Sequence, residues 1–237
     1  MKQNEVKFAL LSVSDKTNID KFAKSLIRNN YKILSTGGTA KFLSSKKIPN
    51  ISISKFTKFD EILEGRVKTL HPIIHAGILA KDKKSIDSLR DSHYSLIDIV
   101  AVNLYPFEST ISKANCKFED AIENIDIGGP TMLRAAAKNH ERVTVITDPK
   151  DYKDVIKEID VNNQTSIMMR RKLAIKVFQK ISEYDSTIYH YLTNQEDSEK
   201  STLPLKINIT LEKIDDLRYG ENPHQKASLY NIKFPKI

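Results

Sequence analysis

Cysteine is almost missing from this chain: Cys116 stands alone among 237 residues. A disulfide within the chain and a cysteine-based metal cluster are therefore both excluded. Long apolar runs are missing too, since no window approaches the ~18 consecutive apolar residues of a membrane span. The opening MKQNEVKFALLSVSDK has neither the apolar stretch nor the small-residue cleavage site of a secretory leader. These absences lead us to expect a cytoplasmic protein with no membrane partner. Internal repeats and low-complexity segments are absent as well. What remains is 40% hydrophobic and 29% charged, the make-up of a globular domain with one substantial core and an appendage.

The net charge is +8, yet the lysines are scattered through every segment and form no stripe. That distribution reads as solvated surface, with part of the excess available to steer an anionic metabolite, and argues against a nucleic-acid partner.

Alternating patterns organise the first half. FALLSV at 8–13 reads as a strand, and Ile19, Phe22, Ala23, Leu26 and Ile27 after it share one helical face. KILST at 32–36 predicts a second strand, followed by a Gly37-Gly38 turn and a short helix from Thr39 to Lys47. ISIS at 51–54 predicts a third strand, DIVAVNLYPF at 98–107 a fourth running into a loop, and RVTVITD at 142–148 a fifth. Such alternation implies an α/β fold with a parallel central sheet flanked by helices in three layers. Helices are predicted over FEDAIENI at 118–125 and MLRAAAKNH after Gly128-Gly129-Pro130. A long one is predicted over 166–192, where Met169, Leu173, Val177, Ile181, Tyr184, Ile188 and Tyr191 recur at helical spacing, as a core or dimer-packing stripe. The polar TNQEDSEKST at 193–202 predicts an exposed linker, giving a main domain over 1–195, a linker over 196–212 and a separate segment over 213–237.

Several groups are chemically suggestive. Ser35, Thr36, Gly37, Gly38 and Thr39 lie between a strand and a helix, where backbone N–H groups and hydroxyls can cradle a phosphate, although Gly-Gly turns are commonly structural. Ser12, Ser14 and Lys16 end the neighbouring strand at the same sheet edge. Arg66, Lys68 and Thr69 share a short loop suited to an anion or a polarised carbonyl, or are simply a solvated basic loop. His71 and His75 have the spacing of a metal pair, but Pro72 breaks a helix joining them and no third ligand follows, so packing roles and no metal are expected. Asp126 precedes Gly128 and Gly129, and Lys138 follows twelve positions later; the pair reads equally as a salt bridge or as a proton-transfer couple. Tyr105 at a strand end is a packing ring, or a proton donor if it faces the cleft.

Taken in order, LLSVSDKT, STGGTAKFL, GRVKTLHPIIHAGILA, VNLYPF, IDIGGPTMLRAAAKNHERVTVITDP and EYDSTIYHYL resemble the cyclohydrolase domain of the bifunctional purine biosynthesis proteins. The resemblance covers nearly the first 195 residues and implies a methylglyoxal synthase-like fold and a homodimer. It implies cyclisation of 5-formamidoimidazole-4-carboxamide ribotide to inosine monophosphate (IMP), with no cofactor or metal. It places Lys68, Tyr105, Asp126 and Lys138 at the catalytic positions. It places Ser14, Asp15, Lys16, Thr36 to Thr39, Arg66, Thr69, Asn103 and Gly128 in nucleotide-binding segments. A second stretch, LRYGENPHQKASLY at 217–230, resembles the opening of the family's transformylase domain, with Arg218 and Tyr219 at nucleotide-contacting positions. The sequence ends at Ile237, before the body that would use 10-formyltetrahydrofolate, so this chain alone is expected not to transfer formyl groups, and the segment is expected to be poorly ordered. Two alternatives share the expected fold: methylglyoxal synthase itself, whose motifs do not account for VNLYPF, and a nucleotide-sensing regulatory module that keeps the phosphate cradle without Tyr105, Asp126 and Lys138.

Overall fold

A computed structural model describes residues 6–92, 94–196 and 209–233. In chain order the elements are β1 (Lys7–Val13), α1 (Ile19–Arg28), β2 (Tyr31–Ser35), α2 (Gly37–Ser45), β3 (Ile51–Ser52), α3 (Ile53–Thr57), α4 (Pro72–Leu79) and α5 (Lys83–Asp91). There follow β4 (Ile99–Asn103), α6 (Phe107–Ile111), α7 (Phe118–Glu123), α8 (Gly128–Lys138), β5 (Thr144–Ile146), α9 (Tyr152–Asn162), α10 (Ile167–Glu196), β6 (Thr210–Leu217) and β7 (Ala227–Lys233).

The chain divides into two compact units, Met1–Tyr105 with Asp126–Ile181, and Pro106–Ile125 with Ser182–Ile237. The first unit holds a five-stranded parallel sheet of order β3-β2-β1-β4-β5, so the expected α/β architecture with a parallel central sheet is present. Ala9, Leu10, Leu11, Val100, Ala101 and Val102 are all buried, because a strand covered by helices on both faces must be apolar on both. α1 buries Ile19, Phe22, Ala23 and Leu26, the stripe its spacing predicts. Each fully buried side chain of this size contributes about 1.5–3 kcal/mol. Strand order reverses at β1: the chain steps outward through β2 and β3, then returns to the other side for β4. That reversal opens a crevice beyond the carboxyl ends of β1 and β4, where Val13 stands opposite Asn103.

Several boundaries differ from the sequence reading, each for a local reason. The third strand stops at Ser52, whose hydroxyl accepts the Lys55 N–H at 3.3 Å and caps α3. Gly37 and Gly38 lie inside the first turn of α2 rather than before it, because Thr36 is the extended cap residue. The fourth strand ends at Asn103, and Phe107 after Pro106 opens α6 instead of continuing the run. The fifth keeps only Thr144–Ile146. Pro72 does not break a helix but begins α4, where its missing N–H costs nothing, with the His71 ring accepting the Ile73 N–H at 3.2 Å. α10 extends through Glu196, so the first residues expected in the linker are helical; residues 197–208 lie outside the described residues.

In the second unit Phe107 meets Tyr184 and Tyr191 edge-on, and Phe118 stacks on Tyr191. The segment expected to be poorly ordered forms an antiparallel hairpin of β6 and β7, pairing Thr210 with Lys233 through to Leu217 with Ala227. Arg218 and Tyr219 lie just beyond β6 on this hairpin, in the second unit.

Candidate functional site

The crevice at the carboxyl edge is lined by the ends of β1, β2 and β4 and by the amino end of α8, all in the first unit. Asn103 organises it. Its Oδ1 accepts hydrogen bonds from the Ser14 N–H at 2.6 Å, the Ser14 hydroxyl at 2.8 Å and the Asp15 N–H at 2.9 Å. Its Nδ2 donates to the Asp15 carbonyl at 3.2 Å. The turn after β1 is thereby fixed to the end of β4. Asp15 accepts the Thr17 N–H at 2.8 Å, and that hydrogen bonding holds its carboxyl below the usual range. Lys16 folds back, its ammonium donating to the carbonyls of Val13 and Ser14, and burial pushes its pKa down.

The hydroxyls expected in the phosphate cradle are largely engaged by the protein. Ser35, fully buried, donates to Asn50 at 2.7 Å. Thr39 accepts the Val13 N–H at 2.9 Å and donates to the Val13 carbonyl at 3.1 Å, locking α2 onto β1. Ser12 and Thr36 share a hydrogen bond of 2.7 Å. What α2 presents is instead backbone: its first turn carries no side-chain cap, and the N–H groups opening a helix have no partner within it. A Cβ built on Gly38 meets nothing within 4 Å, and one built on Gly37 lies 3.9 Å from the Lys68 ammonium. A helix start with a lysine across from it is an anion site in both charge and donors.

Lys68 reaches this point from a sharply bent loop. Leu63, Glu64 and Gly65 all have positive φ, near 54°, 55° and 89°, and Ile62 bridges to Val67 across the bend. Arg66 is exposed, Lys68 is half-buried and Thr69 is buried. Thr69 fits against Gly128, where any Cβ would collide with its hydroxyl. The imidazole of His75 in α4 hydrogen-bonds the Thr69 backbone, and burial lowers its pKa. The packing role expected of His75 is therefore specific, since it holds the residue after Lys68; the helical spacing of 71 and 75 gave no sign of this.

Asp126 sits at the amino end of α8. Its Oδ1 accepts the Gly129 N–H at 2.8 Å, and its carboxylate also takes the Tyr105 backbone N–H. A Cβ on Gly129 would strike this carboxylate, so glycine is required where helix and acid meet. Burial pushes the Asp126 pKa up, outweighing those hydrogen bonds and the pull of the Lys68 charge. An acid whose proton affinity is raised in this way, with a cation in reach, is equipped to accept and return a proton. The Tyr105 side chain is exposed beside it.

Lys138 does not join this group. It ends α8, and at about 1.5 Å per residue the helix carries it about 15 Å from Gly128. There its side chain is exposed. Its neighbour Asn139 is buried and donates to the Ile78 and Ala80 carbonyls at 2.7 and 3.0 Å. Arg142, which sequence reasoning passed over, donates to the carbonyls of Gly77, Ile78, Ala80 and Ile97 and pairs with Asp98 at 3.2 Å. These two side chains hold the end of α4, and a lone arginine before a strand carries no sign of it.

Comparison with known proteins agrees with this architecture. Residues 18–131 match the MGS-like domain family, and residues 136–236 match the family described as AICARFT/IMPCHase bienzyme. The bifunctional purine biosynthesis protein PurH of Caldicellulosiruptor saccharolyticus is 53% identical over 233 residues, and that of Lactobacillus acidophilus 51%, each alignment covering 98% of this chain. The chain spans 45% of the length of each of these relatives. The crystal structure of ForH superposes with a TM-score of 0.69 at 32% identity, covering 77% of this chain and 97% of that one.

Proposed function

This chain belongs to the family of the bifunctional purine biosynthesis protein PurH, whose N-terminal part it matches, and from that premise we propose that it is an IMP cyclohydrolase. The reaction closes the second purine ring: the carboxamide nitrogen of 5-formamidoimidazole-4-carboxamide ribotide attacks its formyl carbon, and loss of water gives IMP. The observation that carries the proposal is the half-buried Asp126, its proton affinity raised, beside Lys68 and opposite an uncapped helix start.

An amide nitrogen is a poor nucleophile and a formamide a weak electrophile, so the reaction needs a proton acceptor and oxyanion stabilisation together. Asp126 takes the carboxamide proton as the C–N bond forms. The Lys68 ammonium stabilises the negative oxygen developing on the former formyl carbon. Tyr105 protonates that oxygen to a hydroxyl, Asp126 returns the carboxamide proton so that it departs as water, and the formamido N–H proton passes back to Tyr105 as the C=N bond closes, restoring both residues. The start of α2 and Arg66 hold the 5′-phosphate. Asn103, Ser14, Asp15 and Thr39 shape the crevice walls, and Thr69 and Gly128 set the position of Lys68. Lys138 takes no step within its own chain.

We assign residues 1–195 to this domain, 196–212 to a linker and 213–237 to the opening of a transformylase domain, and we expect a cytoplasmic homodimer acting on small purine ribotides. Among the described residues no helix is long and apolar enough to cross a membrane. Formyl transfer from 10-formyltetrahydrofolate belongs to longer chains of the family. The hairpin bearing Arg218 and Tyr219 exposes apolar residues of both strands, among them Leu211, Leu217, Leu229 and Ile232, and does not by itself enclose a folate.

The test is to mix the purified chain with the formamido ribotide and follow IMP by absorbance and chromatography, with Lys68→Ala alongside. Turnover in the native chain, lowered at least about 100-fold by the substitution, supports the assignment. Binding of IMP without turnover would replace it with a nucleotide-sensing role.

A further inference from the structure

The even scatter of lysines along the sequence hides one place where the fold gathers them. The core takes Ile19, Phe22, Ala23 and Leu26 from α1, which leaves Lys21, Lys24 and Arg28 exposed along its outer face. Like charges three and four positions apart on a helix repel. The helix dipole favours Arg28 in the last turn but disfavours Lys21 in the first. Lys47 joins them from the turn after α2, in the left-handed region with φ 56°, where its N–H and that of Ile48 close on the Ser44 and Leu43 carbonyls at 2.9 and 3.0 Å. Glycine is the ordinary residue at such a helix end, and a lysine there is strained. The four cations surround a concavity of about 500 Å³, within the ~300–1,000 Å³ of small-molecule sites, whose wall also includes Ile27, Ile48 and Pro49. Among the described residues none of the four forms an ion pair. Arg28 donates to the Ser25 hydroxyl at 2.9 Å, and the nearby acid Asp160 is engaged by Asn29 at 2.7 Å. α1 runs back from the end of β1 to the start of β2, about 15 Å over its ten residues, so the pocket lies toward the amino edge of the sheet, away from the crevice.

We propose that this pocket is a second ligand site, built for a nucleoside triphosphate. A phosphate monoester carries about 1.5–2 negative charges, so four unpaired cations exceed what one phosphate balances and match a chain of them. Lys21, Lys24, Arg28 and Lys47 hold that chain. Ile27, Ile48 and Pro49 offer nothing to an inorganic ion, but they accept the flat face of a base, which gains from leaving water. A concave wall of this size takes one compact molecule, whereas a nucleic-acid strand needs an extended basic track. The site is independent of the cyclohydrolase reading, because it shares no residue with the crevice.

Calorimetry with ATP in magnesium-free buffer tests it. The native chain should bind one ATP, with inorganic tripolyphosphate and adenosine each at least about tenfold weaker. Lys47→Gly is the informative variant, because glycine suits the left-handed position and should leave the thermal midpoint unchanged or raised. Its ATP affinity should fall about fivefold, as should that of Arg28→Gln, while Lys68→Ala in the crevice leaves ATP affinity unchanged. Failure of the native chain to bind ATP, or unchanged affinity in both pocket variants, would overturn the site. So would a loss in Lys68→Ala without one in Lys47→Gly, which would put the ligand in the crevice. Tripolyphosphate binding as tightly as ATP would reduce the pocket to a basic surface, and a random single-stranded RNA binding more tightly, with the same losses in the variants, would make it a nucleic-acid contact; either result overturns the proposal.

Discussion

The two ends of α8 are built from the same helix and do different work. At the amino end, Asp126, Gly128 and Gly129 are held against Tyr105 and Thr69 so closely that neither glycine admits a methyl group. At the carboxyl end, Lys138 is exposed while Asn139 is buried on the carbonyls that end α4. A positively charged residue in the last turn of a helix is favoured by the helix dipole whatever its function. A half-buried acid whose proton affinity is raised has no such ordinary explanation, and the proposed function takes it as the working group. On the proposed function, chemistry lies at one end of this helix and architecture at the other.

Substitutions can break that division, beginning with the largest expected effect. Asp126→Asn removes the proton acceptor but keeps the shape, and kcat for IMP formation should fall about 1,000-fold; a loss below tenfold would make Asp126 only a helix cap. Gly128→Ala drives a methyl into the Thr69 hydroxyl and displaces the loop bearing Lys68, so kcat/KM should fall about 100-fold with the fold retained by circular dichroism. Acid titration sharpens the same end. Asp126 must be ionised to act, so the rate should fall as pH drops through a pKa above the ordinary 3.8, and a limb at or below that value would contradict the burial effect. At the other end, Asn139→Ala should cost about 1–3 kcal/mol in urea unfolding, with kcat per folded molecule unchanged. Lys138→Ala should leave turnover within about twofold. A deep loss there would mean that the lysine serves the crevice of a second copy.

Much of this arrangement was legible in the sequence where local pattern and tertiary structure agree. The apolar face of α1, the presence but not the bounds of the four strands after β1, and the stripe through Leu173, Val177 and Ile181 follow from the apolar pattern. The site was legible as a set of segments but not as a set of roles. Ser35 and Thr39 are of the right type for a phosphate, yet Asn50 and the Val13 backbone engage their hydroxyls, and neither partner is visible without the fold. Lys138 looked close to Asp126 in number, although a helix between them converts sequence proximity into distance. Burial of Asp126, which gives the acid its proton affinity, depends on segments converging from β4, α8 and the Lys68 loop, and no single window of sequence reports it.

The seam between β1 and β4 also has a kinetic meaning. Ser14 and Asn103 are separated by 89 positions, whereas β1 meets β2 after a single intervening helix. Pairing across a short crossover closes a small loop early, and the wider closure comes at a greater entropic cost and a later time. The crevice has no walls until that last strand docks. Recovery of ligand binding during refolding should therefore lag behind the return of helical signal, making nucleotide affinity a clock for the final step of assembly.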